Sequence, residues 1–194
     1  TDISSIILRD APGVKLLAIR IMGEQLEASA DLMVAGIETA YKAGAQVINL
    51  SLGTPNMGKA MLLRDCCAMA RDAGAVLVAS GHPKGRPTYP ADIPEAVGVV
   101  SHRDCMEKMF YFHPRRFPRK KWRSLSGKYV ANGRIKADDP TTYRGSGVAA
   151  AYVTAQLACL RQALPEAPVS ELMQAMEYRS HLPTVELGYR WWLC

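Results

Sequence analysis

Ala75-Val-Leu-Val-Ala-Ser80 is apolar at consecutive positions rather than at alternate ones. A strand with one wet face alternates, whereas a strand covered on both faces does not. The segment therefore predicts an inner strand of a sheet with a layer on either side. Helix-length stretches supply those layers. Residues 27–42 place Ala30, Val34, Ile37 and Tyr41 along one helical face, with Gly44 as the stop. Residues 57–73 do the same with Leu62, Cys66, Met69 and Ala73, stopped by Gly74. Residues 45–51 and 96–101 are short apolar strands, and residues 14–21 are rich in branched side chains and also predict a strand, after a turn over residues 10–13. Strands alternating with helices over short links mean βαβ units and a parallel sheet.

The last third departs from that alternation. Short strands are expected at residues 109–112 and 128–131. Residues 148–164 are small and apolar almost all round, including Ala149, Ala150, Ala151 and Ala155, which predicts a buried helix ended by Pro165 and Pro168. A final helix is expected over residues 169–178 with Ser170 as its cap. At 194 residues, with 48% hydrophobic and 22% charged side chains, the chain suits one globular domain over 1–194 and not a disordered segment.

Composition narrows the function classes. No apolar run reaches the roughly 18 residues that span a bilayer, and the first residues lack the basic and apolar regions of a signal peptide. Cys66, Cys67, Cys105, Cys159 and Cys194 are odd in number and show no CxxC spacing, so neither a disulfide framework nor a zinc site is expected. A reducing, cytoplasmic setting follows as the expectation, with no cofactor and no metal. Cys66 and Cys67 read as packing residues on a helix. The net charge of +6 is local: Arg115, Arg116, Arg119, Lys120, Lys121 and Arg123 account for all of it. With Phe117 and Trp122 interleaved, the segment 113–124 has the pattern that binds an acidic partner or nucleic acid, and equally that of a solvated loop insertion. The tail around Trp191-Trp192 reads as a docking tail or as part of the core.

In open parallel sheets ligands sit at the carboxyl ends of the strands, here the loops after Ser51 and Ser80. Four stretches around them resemble, in order, the subtilase family of serine endopeptidases. Ala11-Pro-Gly-Val-Lys-Leu-Leu-Ala-Ile-Arg-Ile21 is similar to the family's "APxAxLxxVKV". Gln46-Val-Ile-Asn-Leu-Ser-Leu-Gly53 is similar to "DVINMSLG". Val76-Leu-Val-Ala-Ser-Gly-His82, followed by Tyr89-Pro-Ala91, is similar to "VVAAAGN…YPA". Tyr143-Arg-Gly-Ser-Gly-Val-Ala-Ala-Ala-Tyr-Val153 is similar to "GTSMAAPHV".

The resemblance implies a subtilisin-like three-layer α/β/α domain with a mainly parallel sheet, its N-terminal part missing. It also implies a peptide cleft with Ser51, Leu52 and Gly53 on one side and Ala79, Ser80 and Gly81 on the other. In the family the serine of "GTS" attacks the scissile carbonyl. Aligned on Val148-Ala-Ala-Ala-Tyr-Val153, this chain has Gly147 there, and Ser146 falls on the threonine. Glycine has no oxygen with which to form an acyl-enzyme. Ser146 serves as nucleophile only after a one-residue shift, which turns the helix head by about 100°. The family's oxyanion-hole asparagine corresponds to His82. The "DTG" and "HGT" motifs of the triad precede the first matching strand, with Thr1 falling on the threonine of the latter, and none of His82, His102, His113 or His181 takes the histidine's place. The expected function is a degenerate or truncated peptidase domain that binds peptide or protein without cutting it. The alternatives are an active endopeptidase seen as a fragment or inactivated variant, with aspartate and histidine upstream, and a module that binds polyanions through Arg115–Arg123.

Overall fold

The computed structural model of the chain describes residues 2–24, 27–102, 105, 109–112, 129–134 and 145–181. Its elements in chain order are α1 (Asp2–Asp10), α2 (Ala30–Lys42), β1 (Val47–Leu50), a 3-10 turn (Met57–Lys59), α3 (Ala60–Asp72), β2 (Val76–Ser80), β3 (Val97–Ser101), β4 (Phe110–Phe112), β5 (Tyr129–Ala131), α4 (Ser146–Ala163) and α5 (Val169–His181). The basic segment 113–124 and the Trp191-Trp192 tail lie outside the described residues.

The sheet runs β1-β2-β3-β5-β4. The first four strands are parallel, with Val47 opposite Val76, Val78 opposite Val97 and Val99 opposite Tyr129. β4 alone is antiparallel, against β5. Every residue of β2 is buried, as its unbroken apolar sequence requires. Its side chains divide by the period of two. Leu77 and Ala79 join Met33, Ile37, Leu63, Cys67 and Ala70 under α2 and α3. Val76 and Val78 join Val153, Leu157, Leu172 and Met176 on the opposite face under α4 and α5. The molecule is thus helix, sheet, helix in three layers.

α4 is the most enclosed element. Fifteen of its residues, Ser146 through Arg161 apart from Gln156, are buried. Small side chains make this feasible, because alanine lets the helix axis lie close to the sheet and to α1, which packs across it through Ile6 and Ile7. Arg161, buried near the carboxyl end, is held by carbonyls at its two terminal nitrogens: Nη1 donates to Ala167 O at 2.6 Å and Pro165 O at 3.3 Å, and Nη2 to Gly74 O at 3.1 Å. One guanidinium so ties three chain segments together. No described helix is long and apolar enough to cross a membrane.

Four expectations are corrected. Residues 14–21 are not a strand; they carry no ladder hydrogen bonds, and Leu16 and Leu17 are 46% and 58% exposed. Branched residues favour a strand only where a neighbouring strand accepts it, and β1, the nearest sheet edge in sequence, pairs only with β2. The segment still contributes Ile19 and Ile21 to the core under α2. The inner face of α3 is Leu63, Cys66, Cys67 and Ala70, while Leu62 and Met69 are 38% and 52% exposed. That face is turned by one residue from the expected one, toward Leu63, Cys67 and Ala70, which join Leu77 and Ala79 of β2 in the core. Ser170 is not a cap, since it lies inside α5. α2 starts later than expected, where the Ser29 hydroxyl accepts from Leu32 N at 3.2 Å. Its stop holds: Gly44 after α2, like Gly74 after α3, has a positive φ.

Candidate functional site

β1 and β2 are parallel and in register to Leu50 and Ala79, so the residues that follow both strands emerge at the same edge. There an open cleft of about 270 Å³ is lined by Ser51, Gly53, Ser80, Gly81, His82, Pro83, Thr88, Gly145, Ser146 and Gly147. The structure brings Gly147, Ser146 and His82 together with four of the six expected wall residues. The side chains of the other two, Leu52 and Ala79, pack into the core under α2 and α3, as the alternation of a strand dictates.

The head of α4 is fixed by two contacts. Gly145 N donates to Gly133 O at 2.9 Å. The Ser146 hydroxyl accepts from Ser101 N, at the end of β3, at 3.2 Å. Ser146 is 8% exposed, and this bond directs its oxygen toward the sheet. Gly147 comes next, in the first turn of the helix. A Cβ built on it would stand 3.2 Å from Ser51 Cβ and 3.6 Å from Ser51 O and Oγ. A methylene at 147 therefore fits if Ser51 yields by a few tenths of an ångström. The position has room for a side chain and carries none.

A polar chain lies behind Gly147. Thr154 Oγ1 donates to Asn49 Oδ1 at 3.0 Å, Asn49 Nδ2 donates to Ser51 Oγ at 2.9 Å, and Ser51 Oγ donates to Gly147 O at 3.3 Å. It joins β1 to α4 across the cleft floor. On the far wall, His82 Nδ1 accepts from Lys84 N at 3.1 Å. That bond places the ring proton on Nε2, so the imidazole is a donor through Nε2 and not a base through Nδ1. Beyond it the loop folds back: Thr54 and Tyr89 exchange backbone bonds at 2.9 and 2.8 Å, and Thr88 N donates to Asp92 Oδ2 at 2.8 Å. A Cβ on Gly53 would meet Thr88 Cγ2 at 2.6 Å and Tyr89 O at 3.0 Å, so only glycine lets the loop close there.

Asn49, Thr154, Thr88, Pro83 and Gly145 are the site residues that sequence reasoning did not single out. Two of them carried a signal. Asn49 interrupts Val47-Ile-Asn-Leu50 and Thr154 interrupts the apolar α4, and a polar group in a core element has to find a partner. Among the described residues no group of three or more His, Cys, Asp or Glu converges to hold a metal ion.

Comparison with known proteins agrees with this geometry. A family model described as the subtilase family matches residues 2–186. Subtilisin DY from Bacillus licheniformis is 37% identical over 102 residues, which cover 48% of this chain and 36% of that protein. Two solved structures superpose on 87% of the chain: the S41 psychrophilic protease, with a TM-score of 0.66 and 19% identity, and sphericase, with 0.67 and 17%. At that identity they speak for the fold alone. The chain spans 61% of the length of each and 36% of the length of subtilisin DY.

Proposed function

The chain belongs to the subtilase family, and from that premise we propose that its cleft binds an extended peptide or protein segment without hydrolysing it. One observation carries the reading: Gly147, at the head of α4 and in the cleft wall, has no side-chain oxygen. Acyl transfer by this family needs a hydroxyl there, activated by a neighbouring base. The Ser146 oxygen beside it is turned toward β3, where it accepts from Ser101 N, and the Ser51 hydroxyl donates to Gly147 O. His82, with Nδ1 occupied by Lys84 N, acts as a hydrogen-bond donor and not as the base.

What the cleft retains suits binding. Ser51 and Gly53 extend β1 beyond its last paired residue, and Ser80 and Gly81 close β2 on the other side. A peptide in extended form offers alternating N–H and C=O groups to such an edge. His82 lines the cleft at the position where the family keeps its oxyanion donor. In subtilisin, loss of the nucleophilic serine alone costs about as much as loss of the whole triad and leaves roughly 10³–10⁴-fold acceleration over water from binding and the oxyanion hole. The missing hydroxyl at Gly147 sets the same ceiling here.

The test is active-site labelling with a fluorophosphonate probe, run on this chain and on Gly147→Ser. The wild-type chain remains unlabelled, while a fluorescein-labelled extended peptide still shows saturable polarisation. Stoichiometric labelling of the wild-type chain would refute the non-hydrolytic reading in favour of an active peptidase. Labelling of Gly147→Ser alone would show that the missing oxygen is what silences the cleft.

A further inference from the structure

No carboxylate lines the cleft, and two cations stand on the loop that forms its far wall. Lys84 and Arg86 are exposed and lie between the lining residues Pro83 and Thr88. The loop is braced along its length. Gly85, with a positive φ, donates its N–H to His82 O at 2.9 Å, and Lys84 N donates to His82 Nδ1 at 3.1 Å. Thr88 Oγ1 donates to Arg86 O at 3.1 Å. The backbone of each cation is thereby held against a residue of the cleft wall. Asp92, the carboxylate at the base of the loop, spends Oδ2 on Thr88 N. Among the described residues neither Lys84 nor Arg86 has an ion-pair partner, whereas Lys42, Lys59, Arg64 and Arg71 each have one.

A charge acts on the cleft without touching it. Consecutive Cα atoms are about 3.8 Å apart, so Lys84 is one such step from Pro83 and Arg86 at most two from Thr88. Both separations fall inside the Debye length of roughly 10 Å at 0.1 M salt. We propose that the cleft selects acidic peptides, with Asp or Glu beside the 82–88 loop, and that Lys84 and Arg86 are the specificity-determining residues. This rests on the peptide-binding reading of the cleft and names its ligand class. The two cations act differently: Lys84 is a point charge on a flexible stem, and Arg86 is a planar fork that matches a carboxylate. Both are exposed, so the preference is modest, a factor of about two to five for each pair formed. A ligand with Lys or Arg at the same place is repelled.

The experiment selects displayed random heptapeptides on the wild-type chain, on Lys84→Ser/Arg86→Ser and on the charge reversal Lys84→Glu/Arg86→Glu, and reads residue frequencies by sequencing. On the wild-type chain at low salt, Asp and Glu together rise about fivefold over the unselected library at one or two positions. The rise is absent on the serine pair, and Lys and Arg rise instead on the reversed pair. At about 1 M salt, where the Debye length is roughly 3 Å, the wild-type bias falls below about twofold. The control Lys15→Ser/Arg20→Ser removes the same charge from the segment before α2 and leaves the bias intact. All four substituted side chains are exposed, so the variants keep the wild-type fold. An acidic bias that persists on the serine pair, or that the control lowers equally, overturns the proposal, because other cations of the chain then account for it. Peptides enriched on the wild-type chain without acidic bias overturn it too and leave the peptide-binding reading standing. If no peptide is enriched on the wild-type chain, that reading itself fails and this inference with it.

Discussion

At the scale of single residues, the chemistry is set by what neighbours leave to each group. Gly147 is defined by its missing oxygen, Ser146 by the backbone amide that claims its hydroxyl, and His82 by the amide that claims Nδ1. The thiols of α3 follow the same rule in the core. Burial pushes Cys66 up to about 11 and Cys67 up to about 12, the latter with help from Cys66 and Glu95. A buried thiol is a poor nucleophile, so these two pack and do not react, as their helical placement suggested. The sign of the pH effect follows. The unfolded thiols ionise first, so the neutral folded forms stabilise the protein fully below the unfolded value of about 8.5 and lose that contribution as pH rises toward 12. We predict that thermal unfolding falls progressively above about pH 8.5 and that Cys67→Ala flattens this alkaline limb. A wild-type midpoint independent of pH over that range would contradict it.

At the scale of elements, what could be read in the sequence was the alternation, and what could not was the consequence of context. The continuous apolar run of β2 and the small-residue surface of α4 report burial on all sides, and both elements are where the sequence puts them. Residues 14–21 have the composition of a strand and are not one, because pairing is a property of two segments and only one is visible in a local pattern. The inner face of α3 lies one residue from the expected one because Leu62, Cys66 and Met69, and equally Leu63, Cys67 and Ala70, are apolar at helical spacing, so periodicity alone does not choose between them. The site divides in the same way. The strand ends were legible, whereas the contact of Asn49 with Thr154 joins residues 105 positions apart and has no local signature beyond two polar residues in apolar company. The corrected α3 face is testable. Leu63→Ala costs about 2–5 kcal/mol, whereas Met61→Ala, on the exposed side, stays within about 0.5 kcal/mol. Equal losses by urea unfolding would mean the face is misassigned.

At the scale of the whole molecule, two cores on opposite faces of one sheet are coupled through β1 and β2, and α4 meets β1, β2, β3, β5, α1 and α5. Such an element cannot open alone. Native-state hydrogen exchange is predicted to give the amides of β2, β3 and α4 a common, global opening free energy, while the unpaired residues 14–22 exchange far faster. Exchange of α4 through a separate low-energy opening would show that the layers are not one cooperative unit.

The position of α4 in the chain also sets a timetable. Among the described residues, the strand face formed by Val76, Val78, Val97 and Val99 is covered by helices that follow residue 145. On a translating ribosome, at about 5–20 residues per second, β2 leaves the exit tunnel seconds before the helix that covers it has been made. During that interval the valine face stays wet and open to any hydrophobic surface that meets it. A chaperone that shields nascent apolar strands would raise the yield of this protein, and pausing just before codon 146 would lower it.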